Sequence, residues 1–140
     1  MWKAVAIVTL SGVVGGLPLG SQANGGRTSA VESGRTLFAT YCASCHGTTG
    51  RGDGVMAEAL RVRPGDLTGF AAKNGGVFPA EKTRRIINGR ERGVRTHGSP
   101  DMPVWGDAFR RREGLSEEAA QTRIDAIVQY LASIQVRSGD

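Results

Sequence analysis

The sequence predicts an all-α domain whose helices are joined by long loops. Two stretches show helical periodicity, because their apolar residues recur every three or four positions. The first runs from about residue 30 to residue 41, and the second from about residue 116 to residue 135. No stretch alternates apolar and polar side chains as a half-buried strand would. Long loops in a small domain usually enclose a ligand or carry a function.

The composition indicates one globular domain with a modest core of its own. The 140 residues include 21 glycines, and aromatic residues make up only 6%. A chain of this length buries roughly two-thirds of its unfolded surface, so a large apolar cofactor would enlarge the buried interior. The net charge of +5 is compatible with nucleic acid, an anionic membrane or an acidic protein as partner.

The N-terminal stretch has the layout of a secretory signal peptide. A charged start, Met1-Trp2-Lys3, precedes an apolar run over residues 4–19, and Ser21-Gln22-Ala23 offers a small-x-small cleavage site. A retained membrane anchor is the alternative, but the run is shorter and richer in glycine than a spanning helix requires. We therefore expect a signal peptide over residues 1–23, a flexible leader over 24–30 and a domain over 31–137. The mature chain is expected outside the cytoplasm, with no membrane span.

The helices and loops follow from apolar spacing and from capping residues. Ser116 is a suitable N-cap for the last helix, and short helices are expected over residues 55–60 and 79–88. Residues 93–107 have no period and contain two prolines, so they are predicted to form a loop. The apolar face of the first helix consists of Val31, Gly34, Leu37, Phe38 and Tyr41. The stripe on the last consists of Ala120, Ile124, Ile127, Val128, Leu131 and Ile134.

The first helix leads directly into Cys42-Ala43-Ser44-Cys45-His46, a C-x-x-C-H motif. Two thiols at this spacing can add to the two vinyl groups of a haem, and the adjacent imidazole can then bind the iron. These are the only two cysteines, so none remains for a structural disulfide. The motif predicts one covalently attached haem c, held by Cys42 and Cys45, with His46 as an axial ligand.

Three other interpretations of the motif remain open. A thioredoxin-like redox pair would require an α/β setting, and a zinc site would need four ligands, of which Cys42, Cys45 and His97 supply three. A chance match is the third. The glycine-rich loop over residues 47–54 favours haem, because glycine allows the backbone to pass close to a flat cofactor.

The chain resembles the class I c-type cytochromes. Gly34-x-x-x-Phe38-x-x-Tyr41-Cys42-x-x-Cys45-His46-Gly47 is similar to the first helix and attachment site of that family. Asp101-Met102-Pro103-x-Trp105-Gly106 is similar to its methionine loop, and Tyr130-Leu131 to the closing aromatic of its last helix. The resemblance implies three to five helices around one haem, with Gly34 and Phe38 crossing Tyr130. Short motifs over residues 63–68 and 74–79 resemble a bacterial periplasmic branch.

The sixth ligand of the iron has three candidates. Met102 lies 56 residues after His46 in a proline-stiffened loop, and its soft thioether would favour ferrous iron. His97 is the competitor, or else a loop histidine near the haem edge. Met56 is nearer in sequence, but it lies in a predicted helix, where a methionine usually packs. We favour Met102.

The resemblance also implies a supporting shell. The Pro64 carbonyl is expected to accept a hydrogen bond from His46, unless Pro64 is only a turn residue. Trp105 is expected to pack at the haem edge and to donate its N–H to a propionate, although a plain core tryptophan is nearly as good an interpretation. Pro64 and Trp105 complete the predicted cofactor-binding set.

Two filled axial positions predict a one-electron carrier rather than an enzyme. A periplasmic carrier would connect a dehydrogenase or respiratory complex with an oxidase or reductase. A dedicated haem subunit of one dehydrogenase, or a sensor or peroxidase with a displaceable Met102, are the alternatives. Export disfavours nucleic acid, and a monomer is expected. The basic clusters would then steer an acidic partner; they comprise Arg84, Arg85, Arg90, Arg92 and Arg95, with Arg110, Arg111 and Arg112.

Overall fold

The computed structural model describes residues 22–91 and 102–136. Over these residues the chain forms α-helices and two short 3-10 turns and contains no strand, which confirms the all-α prediction. The helices are α1 (Gln22–Tyr41), α2 (Ala43–His46), α3 (Ala80–Ile87), α4 (Trp105–Glu113) and α5 (Glu117–Ser133). The 3-10 turns are Ala57–Ala59 and Ala72–Asn74.

The crossing of α1 and α5 is the main packing contact of the domain. A Cβ placed on Gly34 would lie 1.9 Å from the carbonyl oxygen of Ala126, so only glycine permits this approach. One turn later, the rings of Phe38 and Tyr130 meet with centroids 5.3 Å apart. The predicted crossing of Gly34 and Phe38 against Tyr130 is confirmed.

The last helix follows its sequence pattern closely. Ser116 caps it, because its hydroxyl accepts a hydrogen bond from the backbone N–H of Ala119 at 3.1 Å. Glu117 and Glu118 occupy the first turn, where the helix dipole favours negative charge. Of the predicted stripe, all but Ile134 are buried, and Ile134 is partly buried against the same cluster. This helix therefore gives the cavity described below a rigid wall.

The first helix begins earlier than its pattern predicts. It starts at Gln22, so the segment expected to be a flexible leader forms its first turns. A Cβ placed on Gly25 or Gly26 would meet nothing within 4 Å, which shows that this end stands clear of the domain. Apolar periodicity cannot reveal a helical segment whose residues are exposed, as residues 25–29 are. Of the predicted signal peptide, residues 1–21 lie outside the described part of the chain.

Helix α4 was missed, because the predicted loop over residues 93–107 extends into its first turn. Only Gly106 and Phe109 are buried in it, and three consecutive arginines lie in its last turn. A nine-residue helix with so few buried positions shows no apolar stripe. The ring of Phe109, which is 0% exposed, packs against Tyr41 at the end of α1 and against Trp105 in the first turn of the same helix.

The shorter elements differ from their predictions in detail. The helix expected over residues 55–60 is only the 3-10 turn Ala57–Ala59. The helix expected over 79–88 is α3, with Pro79 at its N-cap. Within the two described ranges, no helix is both long and apolar enough to span a membrane.

Candidate functional site

A cavity beside α2 is the candidate site. It has an empty volume of about 770 Å³ including its open mouth, and it adjoins a deeper, more apolar cavity of about 490 Å³. Six residues line both cavities: Cys42, His46, Leu67, Phe70, Met102 and Trp105.

The larger cavity brings together the four residues of the predicted haem-binding set that we favoured in the sequence, Cys42, Cys45, His46 and Met102, with the predicted supporting residues Pro64 and Trp105. Its lining includes Cys42, Cys45, His46, Pro64, Met102 and Trp105, which come from α2, from two loops and from the start of α4. Met56 lines neither cavity; its side chain is 48% exposed, so the expected packing role is wrong. His97, the other candidate ligand, lies outside the described residues.

The position of the C-x-x-C-H motif follows from the packing of α1. The backbone N–H of Cys42 donates to the carbonyl of Phe38 at 2.9 Å, so the motif continues directly from the buried end of α1. The N–H of His46 in turn donates to the carbonyl of Cys42 at 2.9 Å and closes the single turn of α2. Burial of Phe38 therefore fixes the direction in which the motif faces.

The thiol of Cys42 differs from that of a thiol–disulfide catalyst. Burial, followed by the nearby Cys45, raises its pKa to about 12. Redox-active C-x-x-C pairs instead have a lowered pKa, because the thiolate is their nucleophile. Helical surroundings and a raised pKa both disfavour the thioredoxin-like interpretation.

His46 is buried, with 8% of its surface exposed. Burial lowers its pKa, opposed in part by a hydrogen-bonding backbone group at Gly65, so the imidazole is neutral near pH 7. Among the described residues Nδ1 has no hydrogen-bond partner, so the predicted bond to the Pro64 carbonyl is not formed. That carbonyl packs against Gly52, where a Cβ would lie 2.2 Å from its oxygen. Close packing of the two loops thus occupies the surroundings of the predicted acceptor.

Trp105, the first residue of α4, also lines both cavities. Its ring packs against Tyr41 at a centroid distance of 5.3 Å and against Phe109 at 5.5 Å. Its Nε1 is buried and has no hydrogen-bond partner in the described part of the chain. A buried donor without a partner is costly unless a bound group accepts from it.

These features fit a haem. The lining is mostly apolar, as a large flat cofactor needs, and the soft sulfur of Met102 and the neutral imidazole of His46 are both suitable iron ligands. Two thiols at one wall match two thioether bonds. The two unpartnered nitrogens, Nδ1 of His46 and Nε1 of Trp105, are polar atoms at the wall of an otherwise apolar cavity.

Several lining residues lack any signal in the sequence. Leu60, Val62, Leu67 and Phe70 come from irregular chain between the two 3-10 turns, where apolar residues have no period to mark them. The glycine-rich loop over residues 47–54 was expected to pass close to a flat cofactor, but none of its residues lines either cavity. Its glycines instead approach protein backbone. A Cβ on Gly54 would lie 2.4 Å from the carbonyl oxygen of Ser44.

Comparison with protein families identifies residues 31–135 as a match to the cytochrome c model. No curated protein and no solved structure matches the chain significantly. The match covers most of the chain, including every residue that lines the two cavities. The chain belongs to the cytochrome c family, whose members bind haem c covalently and transfer electrons, and its Cys42 and Cys45 stand at the spacing for that attachment.

Proposed function

We propose that this protein is a periplasmic one-electron carrier whose haem is ligated by His46 and Met102. The observation that carries the proposal is that both side chains line the same two adjoining cavities, beside the two thiols. They lie 56 residues apart in the sequence, so the fold alone brings them together. Met56, the nearer methionine, lines neither cavity, which supports the choice of Met102.

The residues that line the two cavities would have different parts in this function. Haem c supplies an iron that gains and loses one electron. His46 offers a neutral imidazole, because burial lowers its pKa. Met102 offers an uncharged thioether, which favours the reduced state and raises the reduction potential. Leu67, Phe70 and Leu131 exclude water from the deeper cavity.

With His46 and Met102 both holding the iron, no position would remain for oxygen or peroxide to bind. Electron transfer then requires little movement, because the same side chains hold the site in both oxidation states. The carrier would connect a periplasmic dehydrogenase or respiratory complex with an oxidase or reductase. The signal-like sequence over residues 1–23 supports the location.

Spectra of the purified holoprotein test the ligand assignment. We expect Met102→Ala to abolish the weak far-red absorption of sulfur-ligated ferric haem and to lower the potential. Met56→Ala is the matched control, because that side chain is exposed and lies outside the cavities. An unchanged spectrum for Met102→Ala would refute the assignment. Binding of carbon monoxide by the unaltered protein would favour the sensor or peroxidase alternative.

A further inference from the structure

The last described residues of the chain reach back to a loop of the cavity wall. Residues 66–71, which we call the cover loop, contribute Leu67 and Phe70 to both cavities. The cover loop precedes the second 3-10 turn and belongs to no helix, so its conformation depends on bonds to other segments. Gln135 and Val136, which follow α5, form such bonds.

The side chain of Gln135 forms three hydrogen bonds. Its Oε1 accepts from the backbone N–H of Ala71 at 2.9 Å. Its Nε2 donates to the carbonyl of Leu67 at 2.9 Å and to the carbonyl of Leu131 at 2.7 Å. One amide therefore ties both ends of the stretch 67–71 to the last turn of α5.

This arrangement requires both halves of an amide group. Two carbonyl oxygens need a donor and one backbone N–H needs an acceptor, so a single orientation of the amide satisfies all three. The carbonyl of Leu131 lies in the last turn of α5, where carbonyls have no partner within the helix. Gln135 thus satisfies the end of the helix and the cover loop together.

Backbone hydrogen bonds support the same connection. The N–H of Val136 donates to the carbonyl of Thr68 at 3.0 Å, and the N–H of Leu67 donates to the carbonyl of Gly50 at 2.8 Å. Thr68 is buried, with 6% of its surface exposed. Hydrogen bonds to neighbouring segments therefore hold the backbone of the cover loop, while its side chains Leu67 and Phe70 line the cavities.

The position of the cover loop decides how much water reaches the cavities. Water near a redox centre raises the local dielectric constant and favours the more positively charged oxidised iron, so it lowers the reduction potential. Leu67 and Phe70 exclude water only while the backbone that carries them stays in place. A side chain that holds this backbone can therefore change the potential without contacting the haem.

We propose that Gln135 is a positioning residue that holds the cover loop over the haem cavity and thereby keeps the reduction potential high. The inference rests on the proposed function and adds a residue to it. Gln135 acts through Leu67 and Phe70, and neither an electron nor a proton passes through its amide.

Gln121 provides a matched control in α5. It is half-buried like Gln135; its Oε1 accepts from Nδ2 of Asn88 at 2.9 Å, and its Nε2 donates to Asp125 at 3.0 Å. These bonds reach the end of α3 and the next turn of α5, and neither reaches the cover loop. Asp125 also pairs with one of the basic clusters predicted from the sequence, whose Arg92 and Arg95 lie outside the described residues.

Voltammetry and hydrogen exchange of the holoprotein test the proposal. We expect Gln135→Leu, which keeps the size of the side chain and removes its amide, to lower the reduction potential. It should also speed the exchange of the Ala71 and Val136 N–H groups about tenfold, because loss of hydrogen bonds favours local opening. Gln121→Leu should lower the Tm but leave the potential and these two N–H groups unchanged. A purely structural role of Gln135 would lower the Tm and leave the potential where it was.

Gln135→Glu is a second variant that tests the same bonds. A carboxylate keeps an acceptor for the Ala71 N–H but cannot donate to the carbonyls of Leu67 and Leu131. We expect faster exchange at Val136 and a potential lowered more than in Gln121→Glu, which adds the same charge.

Three results would overturn the inference. Unchanged exchange at Ala71 in Gln135→Leu would show that the cover loop is held without the amide. Faster exchange with an unchanged potential would show that the loop does not shield the haem. Equal shifts of the potential in the two leucine variants would assign the effect to general loosening of the domain.

Failure of the proposed function would look different. An unaltered holoprotein without a reversible one-electron couple would contradict the carrier function and, with it, any effect on the potential. Exchange at Ala71 would still decide whether Gln135 holds the cover loop.

Discussion

The two sides of α5 pack differently: one lies against another helix, and the other faces loops that surround cavities. On one side, α1 packs so closely that Gly34 touches the backbone of Ala126, and Phe38 meets Tyr130 ring to ring. On the other side, irregular chain surrounds two cavities, and Nδ1 of His46 and Nε1 of Trp105 are buried without partners. The helix crossing is complete as protein alone. The cavity side has the apolar lining and the unpartnered nitrogens of a site completed by its cofactor.

This difference separates stability from function. A well-packed interior is sensitive to added volume, whereas a cavity lined by loops responds to the presence of its ligand. Substitutions at the crossing should destabilise the protein with or without haem. Substitutions at the cavity should act through retention of the cofactor. The following predictions test that separation.

The largest effect is expected at the attachment thiols. Cys42→Ser or Cys45→Ser should greatly reduce the yield of stable holoprotein, because at most one thioether bond remains, and the double variant should retain no covalent haem. Haem staining after denaturing electrophoresis measures this. Ser44→Ala, at the exposed position between them, should keep full yield. A full yield of haem-loaded protein from either single variant would contradict the attachment.

A large loss of stability is expected at the helix crossing. Gly34→Ala should lower the free energy of unfolding by about 3 kcal/mol, the upper end of the overpacking range, because its Cβ would press against backbone atoms of Ala126. Urea denaturation measures this. Gly26→Ala in the same helix has open space around it and should be neutral or stabilising, by at most about 1 kcal/mol. Equal responses at the two glycines would refute the close packing.

The smallest effect is expected at Glu113, the last residue of α4, which pairs with Arg123 of α5. Its pKa lies below the ordinary value of 4.5, because Tyr41 donates a hydrogen bond to it and Arg123 pairs with it. A lowered carboxyl pKa stabilises the fold above the unfolded value, and this contribution is lost as pH falls through the folded value. Glu113→Gln should therefore lower the Tm at neutral pH, and its difference from the unaltered protein should shrink below pH 4.5.

The control for Glu113 is an exposed carboxylate without an ion pair among the described residues. Glu58→Gln, in the first 3-10 turn, meets that condition. It should change the Tm little at any pH. A Tm difference for Glu113→Gln that stays constant down to pH 3 would show that the carboxylate is not held ionised by its partners.

Helices that bury a stripe were predicted well, and helices that bury little were not. The pattern of α5 and its Ser116 cap appear in the structure as expected, because apolar spacing and capping are local properties. The start of α1 at Gln22 and the whole of α4 escaped prediction. The former contacts nothing at Gly25 or Gly26, and the latter has only two fully buried residues.

The sequence by itself determined the chemistry. Cys42, Cys45 and His46 form a contiguous motif, and their spacing predicts haem attachment without knowledge of the fold. Met102 could be singled out by the softness of its sulfur and by its proline-stiffened loop. The charged surface could not be interpreted in the same way, because ion pairing joins residues distant in sequence, such as Arg84 and Asp125.

Only the tertiary structure decided which residues meet. Packing of α1 against α5 fixes the direction of the thiols, and burial around α2 brings His46 and Met102 to the walls of one cavity. It also decides which charged side chains are paired, since ion pairs form between neighbours from different elements. Local patterns specify donors and helices, but proximity between distant segments arises from close packing, which no single segment encodes.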